Sequence, residues 1–504
     1  MKRLLLLLTF VLLSGHIFAG DTKQKSINKN LDTYVEEVRK GWNIPGMGVA
    51  IMKDGELVYA KGFGVKELGK QELVTEHTLF QIGSVSKSFT AAVISSLVDE
   101  GRIKWSDTVK NILPDFRMYD KMVEENLLVS DLMTHKTGLK GQAGTYIPNL
   151  GYTREDIYKM LPLIKPSYNF RNTYAYNNIT FIIASKVIET VSGKSWEENV
   201  HERIFGPVGM KTATLNGEGF HEAFEKGLSV TPHSTEFING AIVSKPMMGE
   251  ERALHWLTAI GPAGSVVASP VELAKWAQFH LDKGMVGENQ VISTKEMNFL
   301  HRGLTIVNQN DERITLYGHC WFIEQTKKGK IYYHTGTTWG STALCVFVPE
   351  LKLSVAVLVN SEASSQARMA ILRRLIDSYL DLPQYDYNAE YLAKYIADNS
   401  KEKEVKPNDT PVARTPKEKE IIGKYLKDEL FGNAEIFKKK GVLMIKIGKE
   451  GWEHALTHSK GATYKFDSDG HTFPVTFNFN EKDKIVSFEI DFDNNEEFGP
   501  WVKK

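Results

Sequence analysis

The sequence predicts an α+β fold: strands open and close one large domain around a helical insertion, and a small β-rich unit follows. Three observations carry this. Residues 48–64 hold two apolar runs, Val49-Ala50-Ile51 and Leu57-Val58-Tyr59-Ala60, around Lys53-Asp54-Gly55, the signal of a β-hairpin. Residues 315–360 return to strand-like runs at Ile331-Tyr332-Tyr333, Ala343–Val348 and Leu353–Val359. Near the end, Val475, Phe477 and Phe479, then Val486, Phe488, Ile490 and Phe492, alternate with polar residues at the period of half-buried strands.

The chain opens with Met1-Lys2-Arg3, an apolar run from Leu4 to Leu13, and small residues through Ala19-Gly20. That order is the pattern of a secretory signal peptide over residues 1–19, cleaved near Ala19, which implies export to the periplasm or beyond. A spanning helix needs about 20 apolar residues, roughly twice this run, so no integral membrane span is expected. Residues 20–380 form the main domain. It begins with a polar helix over 21–40, and a second helix runs from Ser84 until Gly101 stops it. Residues 106–300 read as helices and loops, and a last helix covers Ser365 to Tyr379. Residues 381–417 are charged and Pro-bearing (Lys401-Glu402-Lys403-Glu404, Lys406-Pro407) and read as a linker. Residues 418–504 are the β-rich domain.

At 504 residues the chain is too long for one ordinary core. It carries 62 Lys plus Arg against 62 Asp plus Glu, so no field points to nucleic acid or an anionic surface. Partners must therefore be recognised at a site and not through the overall field. Cys320 and Cys345 are placed mid-strand. If the intervening strands pair in order, they lie about 9.5 Å apart, beyond disulfide reach, and both are expected as buried free thiols.

Chemistry concentrates in three short patterns. In Ser84-Val85-Ser86-Lys87 a helical spacing of three puts the Lys87 amine beside the Ser84 hydroxyl, which is a poor nucleophile until a base takes its proton. The helix N-terminus adds free N–H groups that favour developing negative charge. Ser-x-x-Lys also occurs at Ser26 and Ser400, but those lie in a polar segment and in the linker. The alternative for Ser84 is an ordinary capping serine. In Tyr176-Asn177-Asn178 a tyrosine near an ammonium can move a proton, and Asn178 can orient Lys87 or bind an acyl side chain. The alternative is a loop tyrosine beside a turn asparagine. In His334-Thr335-Gly336, at the end of a strand, Gly336 lets a substrate approach closely, and the Thr337 and Ser84 N–H groups can form an oxyanion hole. Lys136-Thr137-Gly138 is a rival triplet, rejected because it follows a helical stretch, not a strand.

The order and contexts of these patterns resemble the serine β-lactamase and penicillin-binding-protein group, in its class C β-lactamase, esterase and D-amino-acid peptidase branch. Supporting stretches are Gly83–Thr90, Leu132-Met133-Thr134-His135, Phe205–Met210 and Gly261–Ser265. The resemblance covers roughly residues 25–380. It implies an antiparallel sheet flanked by helices, no cofactor, and an acyl-enzyme on Ser84 with Lys87 and Tyr176 moving the proton. Where β-lactamases usually carry Lys before Thr-Gly, this chain has His334. A histidine is mostly neutral at pH 7 and is expected to charge only as pH falls through about 6.5. The expected substrates are therefore esters, or D-amino-acid and short-peptide amides, without the carboxylate of penicillins. Rival functions are an acyltransferase using the same acyl-enzyme, a β-lactamase, and a non-catalytic β-lactam sensor. No His-Glu-x-x-His or paired-cysteine cluster offers a metal site.

Overall fold

The computed structural model describes the chain except residues 1, 248–250, 328, 363–364, 401–413, 428–429, 469–470 and 493–498, and gives no side-chain environment for residues 2–21, 251–253 and 471. The segment expected as a signal peptide thus lies outside the described side chains. Among the described residues no helix is long and apolar enough to cross a membrane.

Helix α1 (Lys2–Gly41) buries Ile27, Leu31, Tyr34, Val35 and Val38, a stripe at helical spacing. Strands β1 (Gly46–Lys53) and β2 (Glu56–Gly64) form the expected hairpin. Its turn residues Asp54 and Gly55 both have positive φ, 52° and 87°, as tight two-residue turns require. The insertion holds α2 (Ser86–Asp99), α3 (Thr180–Ser192), α4 (Glu251–Ala259) and α5 (Pro270–Leu281). Strands β3 (Thr305–Gln309), β4 (Arg313–Tyr317), β5 (Phe322–Thr326), β6 (Gly329–Thr338), β7 (Ser341–Val348) and β8 (Leu353–Val359) follow, then α6 (Ser365–Tyr379).

The eight strands make one sheet in the order β2-β1-β8-β7-β6-β5-β4-β3, antiparallel throughout. Every residue of β7 and β8 is buried, which is why both read as unbroken apolar runs: the sheet is covered on both faces. Val346, Val355 and Val357 pack with α1 and α6, while Ala343, Cys345 and Leu358 face the core that contains α2 and α5. The sheet thus ends up sandwiched between helices, with β6 held rigidly beside the start of α2.

Two expectations fail here. Cys320 is not mid-strand; it sits in the β4–β5 turn with φ +66°, although both cysteines are free and buried as expected. The start of the expected linker is also ordered. Tyr387–Ser400 forms helix α7, whose Tyr391, Leu392 and Tyr395 pack on the α1–α6 side and whose Asn388 accepts from the Trp42 indole at 2.8 Å. The remaining charged stretch, 401–413, lies outside the described residues.

The C-terminal part is a nine-stranded antiparallel sheet: β9 (Gly423–Leu426), β10 (Ala434–Lys439), β11 (Val442–Ile447), β12 (Trp452–Ala455), β13 (Thr457–Lys460), β14 (Thr463–Ser468), β15 (His471–Phe479), β16 (Ile485–Ile490) and β17 (Trp501–Lys503), ordered β12-β11-β10-β9-β17-β16-β15-β14-β13. Val475, Phe477, Phe488 and Ile490 face its core. Val486 is exposed, because a register shift beside Asn478 puts it on the other face. The sheet is not loosely tethered to the main domain. The buried Tyr152 hydroxyl donates to the Phe431 carbonyl at 2.6 Å, the Lys449 N–H bonds to the Leu150 carbonyl at 3.0 Å, and Lys449 Nζ reaches Asp156 at 2.6 Å. The β11–β12 turn thus braces the insertion segment 147–156.

Candidate active site

Ser84 sits where three backbone segments meet. The short pair Phe80–Gln81 with Val267–Ala268 leads into a 3₁₀ turn, Gly83–Val85, and α2 starts at Ser86. From Ser86 to Leu97 this helix is buried on all sides, not on one face as its apolar spacing alone indicates. Its hydroxyls, apart from that of Ser95, are bonded. Ser86 accepts from Val266 N–H, Ser88 accepts from the Trp276 indole, and Thr90 donates to the Pro262 carbonyl. Phe89 stacks on Trp276 with ring centroids 4.1 Å apart. The nucleophile candidate is carried on a rigid post.

Lys87 is wholly buried. Its Nζ lies 3.0 Å from Ser84 Oγ, 2.6 Å from Asn178 Oδ1 and 2.9 Å from the Ala263 carbonyl. Burial pulls its pKa down to about 7. The two carbonyl oxygens can only accept. Once neutral, the amine must spend both its protons on them, and its lone pair is left for the Ser84 hydroxyl proton. Asn178 is locked in the matching orientation, since its amide donates to Gln142 Oε1 at 2.9 Å and Thr145 Oγ1 at 3.1 Å. Of its two expected roles, Asn178 fills the first: it orients Lys87.

Tyr176 lies on the other side. Lys87 Nζ faces its ring at 4.8 Å from the centroid. Its hydroxyl is buried without a hydrogen bond of ordinary geometry. Burial holds it well above the usual phenol range, and the adjacent Ser84 hydroxyl offsets little of that. It is a phenol, not a phenolate.

On β6, Gly336 corrects an expectation. A Cβ there would stand 1.8 Å from the Ile82 carbonyl oxygen and 3.0 Å from Ser84 N, so the glycine lets the strand approach its own chain, not a substrate. Gly83 answers it with φ +50°, and a Cβ there would lie 2.6 Å from Thr337 N. Two Cβ-free contacts thus set the Ser84 and Thr337 amides side by side, as an oxyanion hole requires. The Gly336 carbonyl, in the same peptide group as Thr337 N–H, accepts from the buried Arg368 guanidinium at 3.1 Å.

His334 overturns the expectation of a group that charges as pH falls through about 6.5. It is 1% exposed, and burial next to Lys87 lowers its pKa to about 3. It belongs to a chain whose directions are set at one end. The Asn177 N–H donates to His135 Nδ1 at 3.1 Å, so His135 Nε2–H donates to the Tyr317 hydroxyl at 3.2 Å. Tyr317 then donates to His334 Nε2 at 3.2 Å, and His334 Nδ1–H donates to the Thr335 carbonyl at 2.6 Å. The imidazole is a neutral strut. Sequence reading singled out neither Tyr317 nor His135 as site residues, although His135 stands in a stretch that carried the resemblance.

These groups border a cavity of about 580 Å³ lined by Ser84, Tyr176, Asn178, His334, Thr335 and Thr337, with Trp256, Trp339 and Glu362 at its wall. The rival motifs fall elsewhere. Ser26 lies on α1 and Ser400 ends α7. Gly138 has φ +87° and packs against the Tyr168 carbonyl. Among the described residues no group of three or more His, Cys, Asp or Glu could hold a metal ion.

A family model described as Beta-lactamase matches residues 31–378. An unguisins hydrolase of Aspergillus campestris is 29% identical over 381 residues, covering 72% of this chain and 68% of its own. A D-aminopeptidase of Brucella anthropi is 30% identical over 257 residues, 49% of this chain and 45% of that protein. Among solved structures, the octameric penicillin-binding protein homologue from Pyrococcus abyssi superposes with a TM-score of 0.60 at 20% identity, over 92% of this chain and 97% of that one.

Proposed function

Because this chain belongs to the β-lactamase family of serine hydrolases, we propose that it is an exported hydrolase working through a Ser84 acyl-enzyme on esters or on amides of D-amino acids and short peptides. The observation that carries this reading is the bonding of Lys87. Two carbonyl acceptors hold the amine so that its neutral form can only take the Ser84 proton. Ser84 Oγ then adds to the substrate carbonyl, and the oxyanion is held by the Ser84 and Thr337 N–H groups. The C–O or C–N bond breaks as a proton passes to the leaving group. Tyr176, protonated and adjacent, is suited to give that proton and recover it from Lys87. Water repeats the addition on the acyl-enzyme, releasing the acid and Ser84. Such positioned proton transfer contributes about 10²–10⁴-fold in rate.

A relative named D-aminopeptidase supports the amide class, and one named an unguisins hydrolase supports hydrolysis. The test is a screen of p-nitrophenyl esters, D-amino-acid amides and a chromogenic cephalosporin, with acid-quenched intact mass. An acyl adduct on Ser84 and faster turnover of esters or amides are expected. Turnover with no Ser84 adduct under any quench would refute the mechanism. Export is checked by N-terminal sequencing of the mature protein, expected to begin near Gly20.

A further inference from the structure

Substrate selection by charge cannot come from His334, which is buried and neutral. Lys87 is also unsuited, since Nζ is buried with its bonds taken. Among the described residues lining the cavity, Glu362 is the one carboxylate, and no Lys or Arg lines it. Glu362 Oε1 accepts from the Gly340 N–H at 3.0 Å, and the Thr235 backbone gives a second bond. No cation pairs with it among the described residues, and burial raises its pKa despite those two bonds. Its charge is therefore under-compensated. Trp339, next to Gly340 on the same turn, meets Trp256 with ring centroids 5.0 Å apart, and both indoles line the same cavity. An indole face and a carboxylate together suit an ammonium or guanidinium group. A substrate carboxylate would lose water there and meet a like charge.

We propose that Glu362, with Trp339 and Trp256, forms a cation subsite of the Ser84 cavity, so that favoured substrates carry an ammonium or guanidinium group and carboxylate-bearing ones are rejected. This rests on the Ser84 acyl-enzyme reading. It moves the discrimination against penicillin-like anions from the strand histidine to another residue lining the cavity. The competing role for Glu362 is a clamp that merely holds the Gly340 turn through its two N–H bonds. Charge and clamp are separable, because glutamine keeps an acceptor oxygen and loses the charge.

The experiment uses three fluorophosphonates with matched tails ending in trimethylammonium, a neutral group and a carboxylate, and reads second-order labelling of Ser84 by mass. In wild type the cationic probe should react about tenfold faster than the neutral one, equivalent to about 1.4 kcal/mol, and the anionic probe should be slowest. Glu362→Gln should bring the three rates to within about twofold of one another, while Glu362→Asp should keep their order. Equal wild-type rates, or an order that survives unchanged in Glu362→Gln, would overturn the subsite. No labelling of Ser84 by any probe would overturn the acyl-enzyme reading, and the subsite with it.

Discussion

Lys136-Thr137-Gly138 and His334-Thr335-Gly336 spell nearly the same triplet, and the first is closer to the common β-lactamase form. They differ in what their backbones face. The loop triplet lies between the 3₁₀ turn Ser130–Met133 and the segment around Tyr168, where Gly138 relieves a turn at φ +87°. The strand triplet lies on β6, paired with β7 residue by residue, His334 with Cys345 and Gly336 with Ala343. Sheet pairing fixes its height, and Gly336 lets it press on the Ile82–Ser84 backbone. The lesson is that the triplet's work is done by main chain held in register, while its first side chain serves here as a buried neutral strut.

Ser84→Ala tests that lesson with the largest effect. It removes the group that the strand triplet serves, leaving both triplets equally idle. Turnover should fall by several orders of magnitude, and fluorophosphonate labelling should vanish while the melting temperature stays close to wild type. A folded Ser84→Ala protein that keeps more than a few per cent of activity would place the nucleophile elsewhere.

Paired glycine substitutions break the comparison directly. Gly336→Ala forces a Cβ against the Ile82 carbonyl and must push β6 away from Ser84 N. Losing one oxyanion donor costs about 10²–10³-fold, so kcat should drop by at least about a hundredfold. Gly138→Ala meets the Tyr168 carbonyl and a left-handed backbone, which costs about 1–3 kcal/mol of stability. Its melting temperature should fall while kcat per folded molecule holds. If both lose activity alike, or both lose only stability, the distinction between the two triplets is void.

What could be read in advance follows from range. Ser84, Lys87, Tyr176, Asn178 and the strand triplet were legible because each pattern is local, although the strand carrying the triplet does not end there as expected but runs on to Thr338. The apolar runs of β7 and β8 marked both as strands, while their burial on both faces shows only in the structure. The burial of His334 was not legible, because it depends on Tyr317 and His135, which approach from separate segments. Nor were Glu362 and Arg368, which belong to no motif and act through main-chain neighbours. Helix α7 was partly visible. Tyr387, Tyr391 and Tyr395 recur every fourth residue, but the charged run after them drew the whole stretch into a linker. Its tyrosine and leucine faces find cover only because α1 and α6 are already packed there.

The pH profile asks whether the first residue of the strand triplet titrates at all. Lys87 must be neutral to act as base, and its pKa is lowered to about 7. Below that value the amine is protonated, so acylation should fall about tenfold per pH unit on the acid side and level off above it. His334, near 3, should contribute no inflection between pH 5 and 8. Labelling rates with a neutral fluorophosphonate, in wild type and His334→Gln, are the measurement. The inflection should persist in the variant. If it disappears, the imidazole titrates after all, and the strut assignment fails.

The smallest effect belongs to the loop triplet. In the usual β-lactamase form the residue before Thr-Gly is a lysine, a permanent cation suited to a substrate carboxylate. Lys136 has the right name but the wrong place: it does not line the Ser84 cavity, and its carbonyl is occupied by the Arg171 N–H at 2.8 Å. It is half-exposed, and substitutions of that kind usually change stability by within about 0.5 kcal/mol. Lys136→Ala should therefore leave the melting temperature and the neutral labelling rate nearly unchanged. The sharper readout is the ratio of anionic to neutral probe. A lysine that met substrate carboxylates would favour the anion, and its removal would lower that ratio by up to about tenfold if the contact were partly desolvated. A ratio that moves by less than about twofold keeps Lys136 out of the site. A larger fall, shrinking as salt is added, would mean that the loop triplet reaches the substrate. The charge balance of the cavity would then have a cation to set against Glu362.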